Sequence, residues 1–212
     1  MVTSTSMDDV GQNGAKQHAP AALRNRDAIL AILRQALPEW GTVLEIASGS
    51  GEHAVYFAES MPHLAWQASD PSAQALASIA AYRAEYDGVN LREPIVVNAA
   101  DPTQWPLERA DALVCINMVH ISPWEATVGL FKGAAQLLDQ QAPVILYGPY
   151  FENDVDPAQS NVNFDASLQS RDPRWGIRNL EDVDAIAQQA GFARTERHEM
   201  PANNLALVYR MQ

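Results

Sequence analysis

The chain has 212 residues, enough for one domain with a sizeable core, and its 47% hydrophobic and 19% charged residues are an ordinary globular balance. With 26 acidic against 14 basic side chains the formal net charge is -12, a surface that repels phosphate backbones and acidic membranes. The only lysines are Lys16 and Lys132 and the arginines are scattered, so there is no basic patch and no expected nucleic-acid or membrane partner.

Residues 1–14 are polar and read as a mobile tail, and residues 15–212 read as one domain. Leu23, Ile29, Leu30, Ile32, Leu33 and Leu37 recur at helical spacing, and Pro38 ends that helix. Gly41 releases the chain into VLEIA, a short apolar run of the kind that forms a buried parallel strand. A helix over about 53–61 follows, then a second strand in LAWQAS, a helix over about 73–86 and a third strand in EPIVVNA. The next helix is weak, because residues 101–110 hold two prolines. ADALVCIN reads as a fourth strand, residues 123–138 as a helix and APVILYG as a fifth strand.

The rhythm breaks over residues 149–178, which hold Pro149, Pro157 and Pro173 among aromatic and amide side chains. So long an irregular stretch reads as a lid or acceptor-binding insertion. A helix over about 180–190 ends at Gly191, and strands over about 193–199 and 205–211 flank the turn PANN. Alternating strands and helices closed by a hairpin predict an α/β, Rossmann-like class I methyltransferase fold. Its sheet has seven mostly parallel strands, an antiparallel last strand and helices on both faces.

The segment from Glu45 to His53 lies between the first strand and its helix. Gly49 and Gly51 allow a sharp turn and close approach of a ligand to the main chain. Gly49 to Ala54 also fits G-x-G-x-x-A, with Asp70 near the spacing of a ribose-binding acid, which supports an NAD-type oxidoreductase. Against that reading, Glu45 precedes the glycines. A carboxylate there favours the sulfonium and ammonium of S-adenosylmethionine, directly or through water, and repels a pyrophosphate. Asp70 and Pro71 end the second strand, Ala100 and Asp101 the third, and Asn117 and Met118 the fourth. Open α/β sheets bind ligands at those ends. The residues expected to hold the donor are therefore Glu45, Ala47, Ser48, Gly49, Gly51, His53, Asp70, Pro71, Ala100, Asp101, Asn117 and Met118. Asp70-Pro71-Ser72 also suits a helix cap, and Asp101 a turn at Pro102.

RNRDAIL (24–30), VLEIASGSGEHAVYFA (43–58), WQASDP (66–71), INMVHISPW (116–124), YGPY (147–150), SNVNFDASL (160–168), DPRWGIRN (172–179) and MPANNL (200–205) together carry a more specific signal. Through them the chain resembles the domain-of-unknown-function 938 family, also called the methyltransferase-like protein 26 family. That resemblance implies an S-adenosylmethionine-dependent methyltransferase fold and leaves the methyl acceptor open. Ala47 stands where many methyltransferases have their first glycine, a replacement that a negative φ would tolerate.

His120, Asn117 and Tyr147 are the candidate catalytic side chains, with His120 suited to act as base near neutrality. Packing against the helix that opens at Ser122 is the alternative for His120, and local bonding the alternative for His53. Tyr150, Phe164 and Trp175 supply flat apolar surfaces for a small acceptor, and Asn161, Asp165, Arg178 and Arg26 supply directed polar groups. The same aromatics could complete the core beneath a long loop. Arg26 could instead pair with an acidic neighbour. The lone Cys115 and five histidines without paired spacing give no metal-site pattern. With a single cysteine, no apolar run long enough to span a membrane and no apolar stretch near the N-terminus, the chain reads as soluble and cytoplasmic. A non-catalytic protein that retains the fold is a further reading.

Overall fold

A computed structural model describes residues 14–212, so the tail expected over 1–14 lies outside the described residues except for Gly14. Helix α1 (Pro20–Ala36) opens on proline, whose preset φ and missing N–H suit the first turn. After it come β1 (Gly41–Ile46), α2 (Glu52–Ser60), β2 (Leu64–Ala68), α3 (Ala73–Ala84), β3 (Ala112–Ile116), α4 (Trp124–Leu137) and β4 (Pro143–Gly148). The short strand β5 (Tyr150–Phe151), α5 (Gln159–Arg171), β6 (Arg178–Asn179), α6 (Leu180–Gln189), β7 (Phe192–Met200) and β8 (Asn204–Met211) complete the chain.

The main sheet has the order β2-β1-β3-β4-β8-β7. Its first four members are parallel, and β8 runs antiparallel to both β4 and β7. Strict alternation divides the core. Leu44, Leu113, Val144 and Leu207 face α4 and α6, whereas Val43, Val114, Ile145 and Val208 face α1, α2 and α3. Both faces of the central strands are therefore buried, which is why they read as continuous apolar runs.

The sheet has six strands rather than seven, because the expected third strand, EPIVVNA, is not regular. That segment follows the edge of β2 through two isolated bridges, Trp66 to Leu91 and Ser69 to Ile95. Pro94 lies between them with no N–H to give, which interrupts the ladder. The weak helix over 101–110 is a single 3-10 turn, Pro102–Gln104. The stretch over 149–178 is less irregular than expected. It contains the 13-residue helix α5, and β5 pairs with β6 to close its two ends together. Among the described residues no helix is long and apolar enough to cross a membrane.

Candidate functional site

Between β1 and α2 the chain turns through three left-handed residues, Ala47 at φ 56°, Gly49 at 57° and Gly51 at 90°. A Cβ on Gly51 would lie 2.9 Å from the Cα of Ile79 on α3, so this glycine serves close packing rather than ligand contact. The negative φ under which Ala47 would be tolerated is corrected: its left-handed backbone costs about 1–2 kcal/mol for a residue with a Cβ. Ser48 is a seam between strands. Its hydroxyl donates to Glu45 O at 3.3 Å and accepts from Ser69 N at 3.1 Å. Asp70 is buried and accepts from Gly49 N at 3.0 Å and Ser72 N at 2.9 Å, while Ser72 itself caps α3.

A cavity of about 580 Å³ opens at the carboxyl ends of β1 and β3. Of the residues expected at a donor site, Ala47, Gly49, Asp70, Pro71, Ala100 and Met118 line it. Asn98, Ile121, Ser122 and Arg174 also line it, and sequence reasoning had not assigned them. Trp175, expected against an acceptor, lines this same cavity. Asp101 does not; its exposed carboxylate accepts from the Thr103 hydroxyl at 2.7 Å. Helix α4 presses on the cavity wall from behind, where a Cβ on Gly129 would lie 2.0 Å from Ala99 O.

Three expected site residues point elsewhere. Glu45 shares the α1–α3 face with Val43, is only 1% exposed, and accepts from Trp66 Nε1 at 2.8 Å. It is absent from the cavity wall, so its expected direct approach to a donor cation is corrected. Burial pushes its pKa up to about 7, against the opposing bonds from Trp66 and Ser48. His53 also leaves the cavity wall. Its ring stacks on Phe57 at 5.4 Å, and its Nε2 meets Asn25 Oδ1 at 2.8 Å. Burial lowers its pKa to about 4, so the ring is neutral and Nε2 is the donor. Tyr147 is buried on that same face, with Asn25 close to its hydroxyl. Asn25, whose partners lie far away in sequence, is the link that sequence reasoning missed.

At the ends of β3 and β4, Asn117, expected to hold the donor, and His120 also stay off the wall of this cavity, although their neighbours Met118 and Ile121 line it. Asn117 is left-handed, with φ 62°. His120 is buried and meets Phe164 edge-on at 5.6 Å, and its Nδ1 has no hydrogen-bond partner among the described residues. A Cβ built on Gly148 would lie 3.2 Å from that Nδ1 and 3.9 Å from Asn117 Oδ1, so the three groups converge. Burial, then the positive fields of Arg178 and Arg171, lowers the His120 pKa to about 4.

Most polar groups expected to face an acceptor are engaged within the protein. Arg178 donates to Ser122 O at 2.8 Å, Arg174 O at 2.6 Å and Val119 O at 3.4 Å. Asp165 accepts from Ile177 N and from Gln169, each at 2.7 Å, and Asn161 donates to Asn203 O at 3.0 Å. Tyr150 is buried in the core and, with Asn161, borders a separate cavity of about 290 Å³ rather than the one at the strand ends. Phe164 remains 38% exposed. Arg26 lies over the Tyr56 ring at 4.4 Å, with Asp27 at 4.0 Å, and its Nε has no hydrogen-bond partner among the described residues. No three His, Cys, Asp or Glu side chains gather to hold a metal among the described residues.

Solved structures share this architecture at low sequence identity. An O-methyltransferase family 2 protein from Planctomyces limnophilus DSM 3776, in complex with apigenin, superposes with TM-score 0.77 at 17% identity, over 99% of this chain and 63% of that one. An O-methyltransferase family protein from Burkholderia thailandensis gives 0.69 at 18% identity, over 88% and 58%. Magnesium protoporphyrin IX methyltransferase from Synechocystis PCC 6803, with bound SAH, gives 0.65 at 17% identity, over 88% and 82%. Several such neighbours are longer proteins, of which this chain spans 54% to 63%. The fold is thus the Rossmann-like α/β fold of class I methyltransferases. A family model matches residues 16–211, and the chain belongs to that family, described as Protein of unknown function (DUF938).

Proposed function

We propose that this protein transfers a methyl group from S-adenosylmethionine to a small-molecule acceptor. The observation that carries the proposal is the cavity at the strand ends, where Asp70 and the left-handed Gly49 share one wall with Ala100 and Met118. Asp70 spends two contacts on Gly49 N and Ser72 N and keeps acceptor capacity for the hydroxyls of a ribose. Asn98, Ala99 and Ala100 with Met118 offer polar edges and apolar faces suited to an adenine. The bound donor supplies a sulfonium methyl open to in-line displacement, so the protein has mainly to position the partners and exclude water.

The reading draws support from neighbours whose names give small-molecule chemistry, among them mitomycin 7-O-methyltransferase and the magnesium protoporphyrin IX enzyme. Against a dinucleotide, the first turn of α2 carries the negative charge of Glu52, which opposes a pyrophosphate at that helix N-terminus although its carboxylate is tied outside the cavity. His120 with Asn117 and Gly148 is the proposed reaction end of the site. There a neutral imidazole nitrogen takes the acceptor's proton as the new bond to the methyl forms. Phe164 on α5 and Arg26 on α1 are the proposed acceptor contacts.

Calorimetry with S-adenosylmethionine, S-adenosylhomocysteine and NAD tests the donor. Binding of the first two and not the third is expected, and binding of NAD alone overturns the assignment. Donor binding without transfer to any acceptor in a broad metabolite screen would instead favour a non-catalytic role.

A further inference from the structure

Glu52 is the first residue of α2, directly after the glycine loop, and it is buried. Its carboxylate takes three donors: Ala19 N at 2.6 Å, His18 Nδ1 at 2.8 Å and the Ser50 hydroxyl at 3.2 Å. Burial works against its charge, yet these donors together hold its pKa below the ordinary carboxylate value. Ser78 on α3 makes a companion tie. Its hydroxyl donates to Ser50 O at 2.6 Å and accepts from Gln17 N at 2.8 Å. The Tyr82 hydroxyl donates to Gln17 O at 3.1 Å, and Lys16 pairs with Glu85 while lying over the Tyr82 ring. Residues 16–19 therefore cross α2 and α3 as a strap, and two of its ties, through Glu52 and through Ser78, end on Ser50.

Ser50 sits between Gly49 and Gly51, the two most freely rotating residues of the loop. On the inner side Gly49 N is fixed by Asp70 at 3.0 Å; on the outer side Ser50 is held by the Glu52 carboxylate and Ser78, both tied to the strap, and by Glu52 N, which donates to its hydroxyl at 3.3 Å. A glycine-rich turn that wanders in the free protein lowers apparent affinity by the fraction of time it is misshapen. We propose that Glu52 is a positioning residue which, with Ser78, ties the strap of residues 16–19 to Ser50 and so holds the glycine loop in its donor-binding shape. The inference rests on the donor reading above. It makes the segment before α1 part of the donor site although it does not line the cavity.

The test uses the full chain with Glu52→Ala and, separately, Ser78→Ala. Amide hydrogen exchange is followed without ligand, and S-adenosylhomocysteine affinity is measured by calorimetry. Both variants are expected to exchange faster over residues 47–55 while the β1–β3–β4 core is unchanged. Their dissociation constants should rise about tenfold, as for a loop that is competent about a tenth of the time. Wild-type affinity in both variants, or exchange that rises uniformly through the chain in both, overturns the proposal. If the wild-type protein does not bind S-adenosylhomocysteine, the donor reading fails by itself. The exchange over 47–55 still decides whether the ties hold the loop.

Discussion

The indole N–H of Trp66 on β2 donates to the carboxylate of Glu45 on β1 at 2.8 Å, inside the face that packs on α1, α2 and α3. This pairing turns the first strand's acid away from the cavity. Burial acts on this acid in the opposite pH direction to its action on His53 and His120, which are buried neutral.

The sign of each contribution is opposite. Glu45 has a folded pKa of about 7 against 4.5, so its contribution to stability is full below pH 4.5 and lost as pH rises through 7. The histidines have folded values of about 4 against 6.5, so theirs are present above 6.5 and lost as pH falls through 4. Glu45→Gln keeps an acceptor for Trp66 and removes the charge. It should stabilise the protein at pH 8, by on the order of 3 kcal/mol at most. That gain should vanish near the lower end of the window, leaving the variant with a steeper acid loss than wild type. Urea melts at pH 8 and pH 4.5 measure this, and equal stabilities at pH 8 would show that Glu45 is already accommodated as an anion.

Asp70 links the loop to the cavity. Asp70→Asn would put an amide N–H toward Gly49 N or forfeit that bond, and it would weaken the hold on a ribose. Loss of charge-assisted bonds of this kind corresponds to roughly 10- to 100-fold in affinity. The dissociation constant of S-adenosylhomocysteine should rise by that factor, and the melting temperature should also fall, because Asn offers one oxygen to two backbone N–H donors. Titration calorimetry on the variant checks it, and unchanged affinity would remove Asp70 from the site.

The parallel strands were legible because burial on both faces writes them as apolar runs, and the loop because left-handed turns leave glycines behind. Asp70 followed from the same logic, as a polar residue at a strand end. Helix α5 was hidden because only Asn161 and Leu168 of its residues are buried, so no apolar period marks it. The direction of Glu45 depends on its register with a tryptophan 21 residues away, and that of His53 on an asparagine 28 residues away. Local pattern carries neither. Pro94 was a visible warning against a regular third strand, and the apolar residues beside it outweighed it.

Helix α4 lines the cavity with Ala126, and one turn on it packs against the backbone of the wall because residue 129 lacks a side chain. A methyl there would lie 2.0 Å from Ala99 O and 3.1 Å from the Cα of Ala100, both backbone atoms that cannot swing aside. Gly129→Ala should cost about 1–3 kcal/mol through overpacking. It should also raise the donor's dissociation constant, because the displaced wall includes Ala100. A melt together with calorimetry reads both effects. Lost stability with unchanged affinity would mean that α4 yields and the wall stays.

The proposed chemistry rests most directly on the buried His120. Its pKa of about 4 keeps the ring neutral throughout the neutral range, and its Nδ1 lacks a partner where Asn117 and Gly148 converge. A ring this weakly basic does not strip a proton beforehand; it accepts one as the methyl moves, which typically contributes 100- to 10,000-fold, roughly. Once an acceptor is found with labelled donor, His120→Asn should lower kcat by a factor in that range and leave donor affinity unchanged. Wild-type kcat should stay level from pH 8 down to about 5 and fall only as the ring titrates near 4. Gly148→Ala gives an independent check, since its methyl would press on Nδ1 at 3.2 Å and leave the imidazole itself in place. It should lower kcat, and added desolvation of the ring should move the acid limb of the pH profile to lower pH. If His120→Asn turns over at the wild-type rate, the acceptor needs no base and the imidazole belongs to the packing of Phe164.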